Sequence, residues 1–401
     1  MNRKQRILLF LLATINFTHI LDFMIMMPLG NFLMPHFRIS PQYFSWIVAA
    51  YPVTAFFSGL VAAFVVDNFD RKRVLLFAYT GFILGTFACG LAPNAGLLLA
   101  ARVFTGIFGG LIGAQVLSIV ADVFPYQMRG RAMSSVFLAF SLASVFGVPF
   151  SLYLANLISW HAPFYFIGIL GIALLPFLLR FLPSVAGHVV PLSERAKRDI
   201  WGTVRSMFRN RQQALALTLA GGLIFGHFLV VPFVNPYMQF NVGFTAAQTP
   251  LIYMVGGAFT LVTSPIIGRI SDRYGKYRVF LVCLLLSLIP IFLITNMPDI
   301  NFYLVLFIFG IWFTFSTGRN IPAQAMISTV VDPAERGRFM SFNSSFQQLF
   351  TGAASVVSGL IVREGGGGRI LHYNWVGYLS ITVVFGMLFI GRALARQQRL
   401  T

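Results

Sequence analysis

Charged side chains are rare in this sequence, and the few that stand inside its apolar stretches carry the chemistry. The chain has 11 Asp and Glu and 29 Lys and Arg in 401 residues. One carboxylate, Asp22, lies deep in an apolar run, preceded by His19 and Asn16. Steps of three residues turn a helix by about 300° each, so the three share a sector of about 120°. An ionisable group held in an apolar span costs at least a few kcal/mol, which makes each one a functional candidate by default. A buried carboxylate near a cation can load and release a proton as its surroundings change. Asp22 is therefore expected to be a proton-coupling group, the alternatives being a static ion pair or a helix-end residue. Arg102 and Arg319 are the cations inside apolar runs. Arg102 would pair with Asp22 in one state and release it in another. Arg319, followed by Asn320 and near Gln324, has no carboxylate in its own run, so it would meet an anionic group or a backbone carbonyl. His227 is a weaker candidate, expected as a hydrogen-bonded residue facing a polar cavity.

The elements that position these groups follow from composition. Hydrophobic residues make up 57% of the chain and charged residues 10%. A soluble domain carries about 25% charged residues, because its surface faces water. Here the outside must be apolar too, and the solvent is lipid. A spanning helix needs about 20 apolar residues. Apolar runs set against breakers and charges predict twelve: 7–30, 43–66, 74–92, 97–123, 132–157, 162–182, 214–238, 248–270, 279–296, 302–330, 339–362 and 375–392.

The net charge of +18 does not indicate nucleic acid, since the basic residues sit in short loops between apolar runs with no nucleic-acid motif beside them. Of the 29 Lys and Arg, 24 fall in loops on the side of the N-terminus and only Arg38, Arg363 and Arg369 on the other. The excess of positive charge predicts that both termini are cytoplasmic. Cys89 and Cys283 lie in separate apolar runs, where packing is their expected role. No HExxH, paired carboxylates or nucleophile–base constellation points to an enzyme, and no metal or cofactor is expected. The longest connection, Pro183 to Gln213, is the most basic. Its segment from Glu194 to Phe208 predicts a short amphipathic helix on anionic headgroups, or else a solvated linker.

Two loop motifs recur. Ala63-Phe-Val-Val-Asp67-Asn-Phe-Asp70-Arg71-Lys72-Arg73 is matched by Gly268-Arg-Ile-Ser-Asp272-Arg273-Tyr-Gly275-Lys276-Tyr-Arg278, the aspartates being 205 residues apart. Arg129-Gly-Arg-Ala-Met-Ser134 is matched by Arg336-Gly-Arg-Phe-Met-Ser341, 207 residues on. Two independent motifs with nearly one offset predict that the halves are structural copies. An offset of six spans keeps both copies in the same orientation.

These loops resemble the signature of the major facilitator superfamily, G-x-x-x-D-R-x-G-[RK]-x-[RK]. The copy at 268–278 is nearly complete; in the other, Ala63, Asn68 and Asp70 replace the expected Gly, Arg and Gly. Arg102-Val-Phe-Thr-Gly106-Ile-Phe-Gly109-Gly110 is similar to the family's R-x-x-x-G-x-x-G motif, linked to proton transfer. Gly147-Val-Pro149 is similar to a reduced antiporter motif, although Ser151 to Ala155 lacks its later glycines.

The resemblance implies an all-α membrane protein with 12 transmembrane helices in two parallel six-helix bundles. The expected division is residues 1–182, a cytoplasmic linker at 183–213, and residues 214–401. The implied activity is secondary active transport in a bacterial inner membrane, by a monomer whose partners are a small molecule and lipid. Proton-coupled efflux of a drug, dye or sugar-like metabolite is the leading expectation, and proton-coupled uptake in the same fold the alternative. The expected substrate cavity comprises Asn16, His19, Tyr51, His227, Asn235, Tyr237, Tyr253, Arg319, Gln347 and Gln348, with Asp22 and Arg102 as coupling residues. Asp67, Arg71 and Arg73, with Asp272, Lys276 and Arg278, are expected to form a conformational latch of charge-assisted bonds, or else only to set topology. Ser341, Ser345, Gln348, Gly352, Ser355 and Gly359 share one face of span eleven, and Gly106, Gly110 and Gly113 one face of span four. Small residues there are expected to let helices approach closely, with cavity lining the lesser role for the first stripe.

Overall fold

The computed structural model describes residues 3–65, 69–124, 126–184, 200–297, 300–332 and 336–397. Helices account for nearly all of them: α1 (Arg3–Ile25), α2 (Gly30–Phe37), α3 (Pro41–Val65), α4 (Arg71–Gly90), α5 (Ala95–Val123), α6 (Tyr126–Leu142), α7 (Val148–Leu157), α8 (Ala162–Phe181), α9 (Ile200–Arg209), α10 (Arg211–Phe240), α11 (Thr249–Tyr274), α12 (Lys276–Thr295), α13 (Phe302–Ser328), α14 (Arg336–Ile361) and α15 (Tyr373–Gln397). Among the described residues, eleven helices are long and apolar enough to cross a membrane. The twelfth expected span is α14, a continuous helix of 26 residues whose polar stripe lowers its hydropathy. Many large apolar side chains face outward, among them Phe10, Phe77, Leu84, Ile169 and Val262. Such a surface is stable against lipid tails and unstable against water.

Local chemistry explains the boundaries. Asn94, Asn210 and Asn301 cap α5, α10 and α13, accepting bonds from backbone N–H groups two or three residues on, at 2.9 to 3.2 Å. Span one ends earlier than expected, at Ile25, and the chain turns before the short helix α2. Arg38 closes α2 in a left-handed conformation, φ 52°. Span five is interrupted by a π-helical turn at Ala143–Gly147, just before Pro149. Proline removes a donor and crowds the carbonyl four residues back, and a widened turn relieves both. Between α14 and α15 a two-residue hairpin pairs Arg363 with Leu371 and Glu364 with Ile370. Asn241 at the end of α10 holds it, donating to the Ile370 carbonyl at 3.0 Å and accepting from the Ile370 N–H at 2.8 Å.

The chain packs as two compact units. The first comprises Met1–Met26 and Ala50–Asp199; the second comprises Met27–Ala49 and Ile200–Thr401. The division differs from the repeat boundary in one segment, 27–49, which packs with the C-terminal helices. Its anchors are polar and aromatic. Asn235 on α10 donates to the Pro28 carbonyl at 2.7 Å and to Asn31 Oδ1 at 3.2 Å. Asn31 in turn donates to Gln239 Oε1. Phe44 meets Phe233 edge-on at 6.0 Å. In the expected linker, residues 185–199 lie outside the described residues, and α9 covers Ile200–Arg209. Its Phe208 ring lies against Phe342 and Phe346 of α14.

Candidate functional site

In the first unit, four helices converge on Asp22. Arg102 on α5 donates from Nη1 to Asp22 Oδ2 at 2.6 Å, and both side chains are 0% exposed. Thr86 on α4 donates to the other carboxylate oxygen at 3.2 Å. Tyr51 on α3 places its ring under the guanidinium, 4.6 Å from its carbon, where the ring's negative face favours a cation. Several polar atoms of the cluster lack partners. Among the described residues, Arg102 Nε and Nη2, the Tyr51 hydroxyl and His19 Nδ1 are buried with no hydrogen-bond partner. The pair is thus complete as a charge pair and incomplete as a hydrogen-bond network. Such a network has spare capacity to rearrange when the acid is neutralised.

The sequence builds this convergence with small residues. A Cβ at Gly109 would run into the Tyr51 hydroxyl, and one at Gly106 into the α3 backbone at Tyr51. The R-x-x-x-G-x-x-G motif therefore supplies the arginine and the close approach of α3 that puts an aromatic face beneath it. A Cβ at Gly113, expected on the same stripe, would meet nothing within 4 Å among the described residues. Gly147, beside the π-turn, seats the Leu21 side chain of α1, 2.8 Å from where a Cβ would stand. The Gly147-Val-Pro149 segment thus packs against α1 beside Asp22.

Of the other residues expected on the Asp22 face, His19 lies between Tyr51 and Phe82, with both ring centroids 6.0 Å away. Asn16 donates to the Val136 carbonyl at 3.1 Å and so ties α1 to α6.

The second unit holds a separate polar group. Arg319 on α13 is wholly buried and donates from Nη1 to Ser287 of α12 at 2.6 Å. His227 on α10 stacks on Trp312 of α13, centroids 5.0 Å apart at 29°. Tyr253 on α11 is buried with its hydroxyl unpartnered. Tyr237 packs on Tyr373 at 4.7 Å. Asn235 belongs to the anchor of segment 27–49 described above. Gln347 and Gln348 are half-buried on α14, and the Gln347 carbonyl accepts from Thr351. On the expected stripe of the same helix, Ser355 is fully buried and bonds back to the Thr351 carbonyl at 3.0 Å.

The loop copies differ in construction. Gly275 stands between α11 and α12 at φ 96°, ψ 136°, which favours glycine. Its counterpart Asp70 has φ −59° and caps α4, accepting from the Lys72 N–H at 3.0 Å and from the Ser184 hydroxyl at 2.7 Å. Arg71 pairs with Asp122 at the end of α5 at 3.2 Å. Asp67 lies outside the described residues, as do the side chains of Arg129 and Arg131. Arg73, Asp272, Lys276 and Arg278 are exposed.

Sequence reasoning missed Thr86, Ser287, Asn31, Gln239 and Asp122. The first four are ordinary polar residues whose partners lie far along the chain. Asp122 carried a usable signal, being an acid seven residues before the second loop motif. Among the described residues, no three His, Cys, Asp or Glu side chains stand close enough to hold a metal ion.

The sequence and fold can be set beside known proteins. A profile of the Major Facilitator Superfamily matches residues 12–318 and 220–399. The uncharacterised MFS-type transporter YceJ of Bacillus subtilis (strain 168) is 24% identical over 369 residues, 91% of each chain. Multidrug resistance protein 3 of the same organism is 26% identical over 364 residues, covering 75% of this chain and 69% of that one. The fold is shared with a bacterial homologue of the human lysosomal transporter Spinster, solved in an inward-facing, occupied conformation. The TM-score is 0.77 at 14% identity, over 99% of this chain and 98% of the other. Long apolar helices, duplicated loop motifs and a profile match running almost from end to end make this multi-pass membrane protein a transporter of the major facilitator superfamily.

Proposed function

We propose that the chain is a secondary active exporter that exchanges inward-moving protons for small amphipathic or polar organic compounds, working by alternating access. On this reading it acts as a monomer in the bacterial inner membrane, with both termini cytoplasmic. The observation that carries the proposal is the Asp22–Arg102 pair, a fully buried ion pair whose arginine keeps unpartnered donors. Protonating Asp22 cancels the attraction and leaves Arg102 to the Tyr51 face and to whatever acceptor can reach Nε and Nη2. The α1–α5 contact then has two arrangements of comparable energy, and a proton biases the choice. Each charge moved across the membrane supplies about 2.3 kcal/mol per 100 mV of potential. The Arg71–Asp122 pair serves as part of the latch at the other end of α5. Export rather than uptake is favoured by the likeness to Multidrug resistance protein 3.

Proteoliposomes with an imposed pH gradient test the reading. With an acidic lumen, an antiporter draws amphipathic compounds inward as protons leave, and Asp22→Asn abolishes that accumulation. Accumulation only with an acidic exterior would establish uptake symport instead. Accumulation by Asp22→Asn equal to that of the wild type would remove Asp22 from the coupling.

A further inference from the structure

The second buried arginine has a setting unlike that of the first. Arg102 is the eighth residue of α5, whereas Arg319 is the eighteenth of α13, the corresponding helix of the other repeat. Arg319 therefore stands ten residues, about 15 Å, further along its own helix than Arg102 does along α5. Arg319 has no carboxylate partner among the described residues. Its one hydrogen bond goes to a neutral hydroxyl, Ser287. Nε and Nη2, with three N–H donors between them, are buried and unpartnered.

The neighbouring side chains share this imbalance. Trp312, Ser316 and Arg319 follow each other at steps of four and three residues, so they line one face of α13. Trp312 Nε1 and Ser316 Oγ are also buried without partners, as is Nδ1 of His227, whose ring stacks on Trp312. Indole and guanidinium nitrogens only donate. Unpartnered guanidinium and indole donors, beside a hydroxyl and an imidazole that can also donate, are complementary to a ligand that accepts hydrogen bonds and carries negative charge. From Arg319 to Trp312 is seven residues, about 10 Å along the helix. The long Arg319 side chain leans toward the N-terminal end of the helix and so toward Trp312, which shortens that spacing for a ligand with an anionic head and an apolar ring.

We propose that Arg319 and Ser316 bind a carboxylate or similar oxyanion of the transported compound while Trp312 and His227 receive its aromatic body, making the substrate class an aryl-substituted organic anion. This deepens the exporter reading and rests on it, because alternating access is what opens the enclosed arginine to a ligand.

Equilibrium binding to the purified protein in detergent tests the proposal without any proton gradient. The probes are naphthalene-2-acetate and its neutral amide, which differ in charge and hardly in shape. The wild type should prefer the anion by about tenfold, the usual yield of one charged hydrogen-bonded contact. Arg319→Gln should abolish the preference, and Arg319→Lys, which keeps charge but not the fork, should retain part of it. Because an unpaired buried cation is removed, Arg319→Gln should also unfold at a temperature no lower than the wild type. The proposal is overturned if the wild type shows no preference, non-binding of the anion included. It is equally overturned if the preference survives Arg319→Gln, or if that variant loses stability as a structural arginine would. Asp22→Asn protein should keep the anion preference, so a failure of proton coupling and a failure of this subsite give different results.

Discussion

Removing the carboxylate of the Asp22–Arg102 pair should be far more damaging than removing the whole pair. The contact is 2.6 Å between side chains that are 0% exposed. At an effective dielectric of about 20, opposite charges 2.6 to 4 Å apart attract by about 4 to 6 kcal/mol. Asp22→Asn keeps the shape and the Thr86 contact but leaves the guanidinium uncompensated. Breaking a buried pair from one side costs about 3 to 5 kcal/mol. Asp22→Leu with Arg102→Met replaces both charges by apolar groups of similar volume, and such exchanges are neutral or stabilising by about 1 to 4 kcal/mol. The double variant should therefore be at least as stable as the wild type, and the coupling energy of the cycle should exceed about 2 kcal/mol. Unfolding in mixed micelles by titration with a denaturing detergent gives the four free energies. Additive effects, with the double variant as unstable as the sum of its parts, would refute the reasoning. They would mean that the two residues stabilise the fold separately and that no pair exists for a proton to break.

Gly109→Ala should displace Tyr51 from beneath Arg102 and cost about 1 to 3 kcal/mol by overpacking, measured by the same titration. Asn235→Leu leaves the Pro28 carbonyl and Asn31 without their donor, which should cost about 1 to 3 kcal/mol and raise hydrogen exchange across 27–37. Arg71→Ala breaks a pair whose Asp122 side is 31% exposed, so its stability cost should stay below about 1 kcal/mol. If that pair is a latch, the transport rate in proteoliposomes should change severalfold with no matching change in stability.

Much of the architecture was legible because lipid imposes a long local pattern. Every expected span corresponds to a helix or to the α6–α7 pair, since about 20 apolar residues leave no other way to satisfy the backbone. The pairing of Asp22 with Arg102 was also within reach, there being one deep acid and few cations to meet it. Other features depend on contacts between residues distant in sequence. Asn235 reads as a cavity residue from its own helix, but its amide is committed to Pro28 and Asn31, more than 200 positions away. Asn16 shares the helical sector of Asp22 and yet reaches the Val136 carbonyl of α6, because a sector of about 120° is wide enough to face two neighbours. Asp70 looked like decay of a loop signature. In the structure it is a cap, which ends one turn and starts α4 where the other copy uses a glycine at positive φ. The short helix α2 was hidden inside an apolar run, where periodicity cannot distinguish a break from a continuation.

The central claim is that Asp22 gains and loses a proton and that its pairing with Arg102 breaks and re-forms with it, and infrared spectroscopy tests it most directly. Protonated carboxylic acids in an apolar site give a C=O stretching band separate from those of the amide backbone. In the purified wild-type protein, such a band should appear and vanish as pH is swept through the range in which transport operates. It should be absent from Asp22→Asn and shifted in its titration by Arg102→Gln. A wild-type spectrum with no Asp22-dependent band anywhere in that range would contradict the account and leave the pair as a fixed structural bridge.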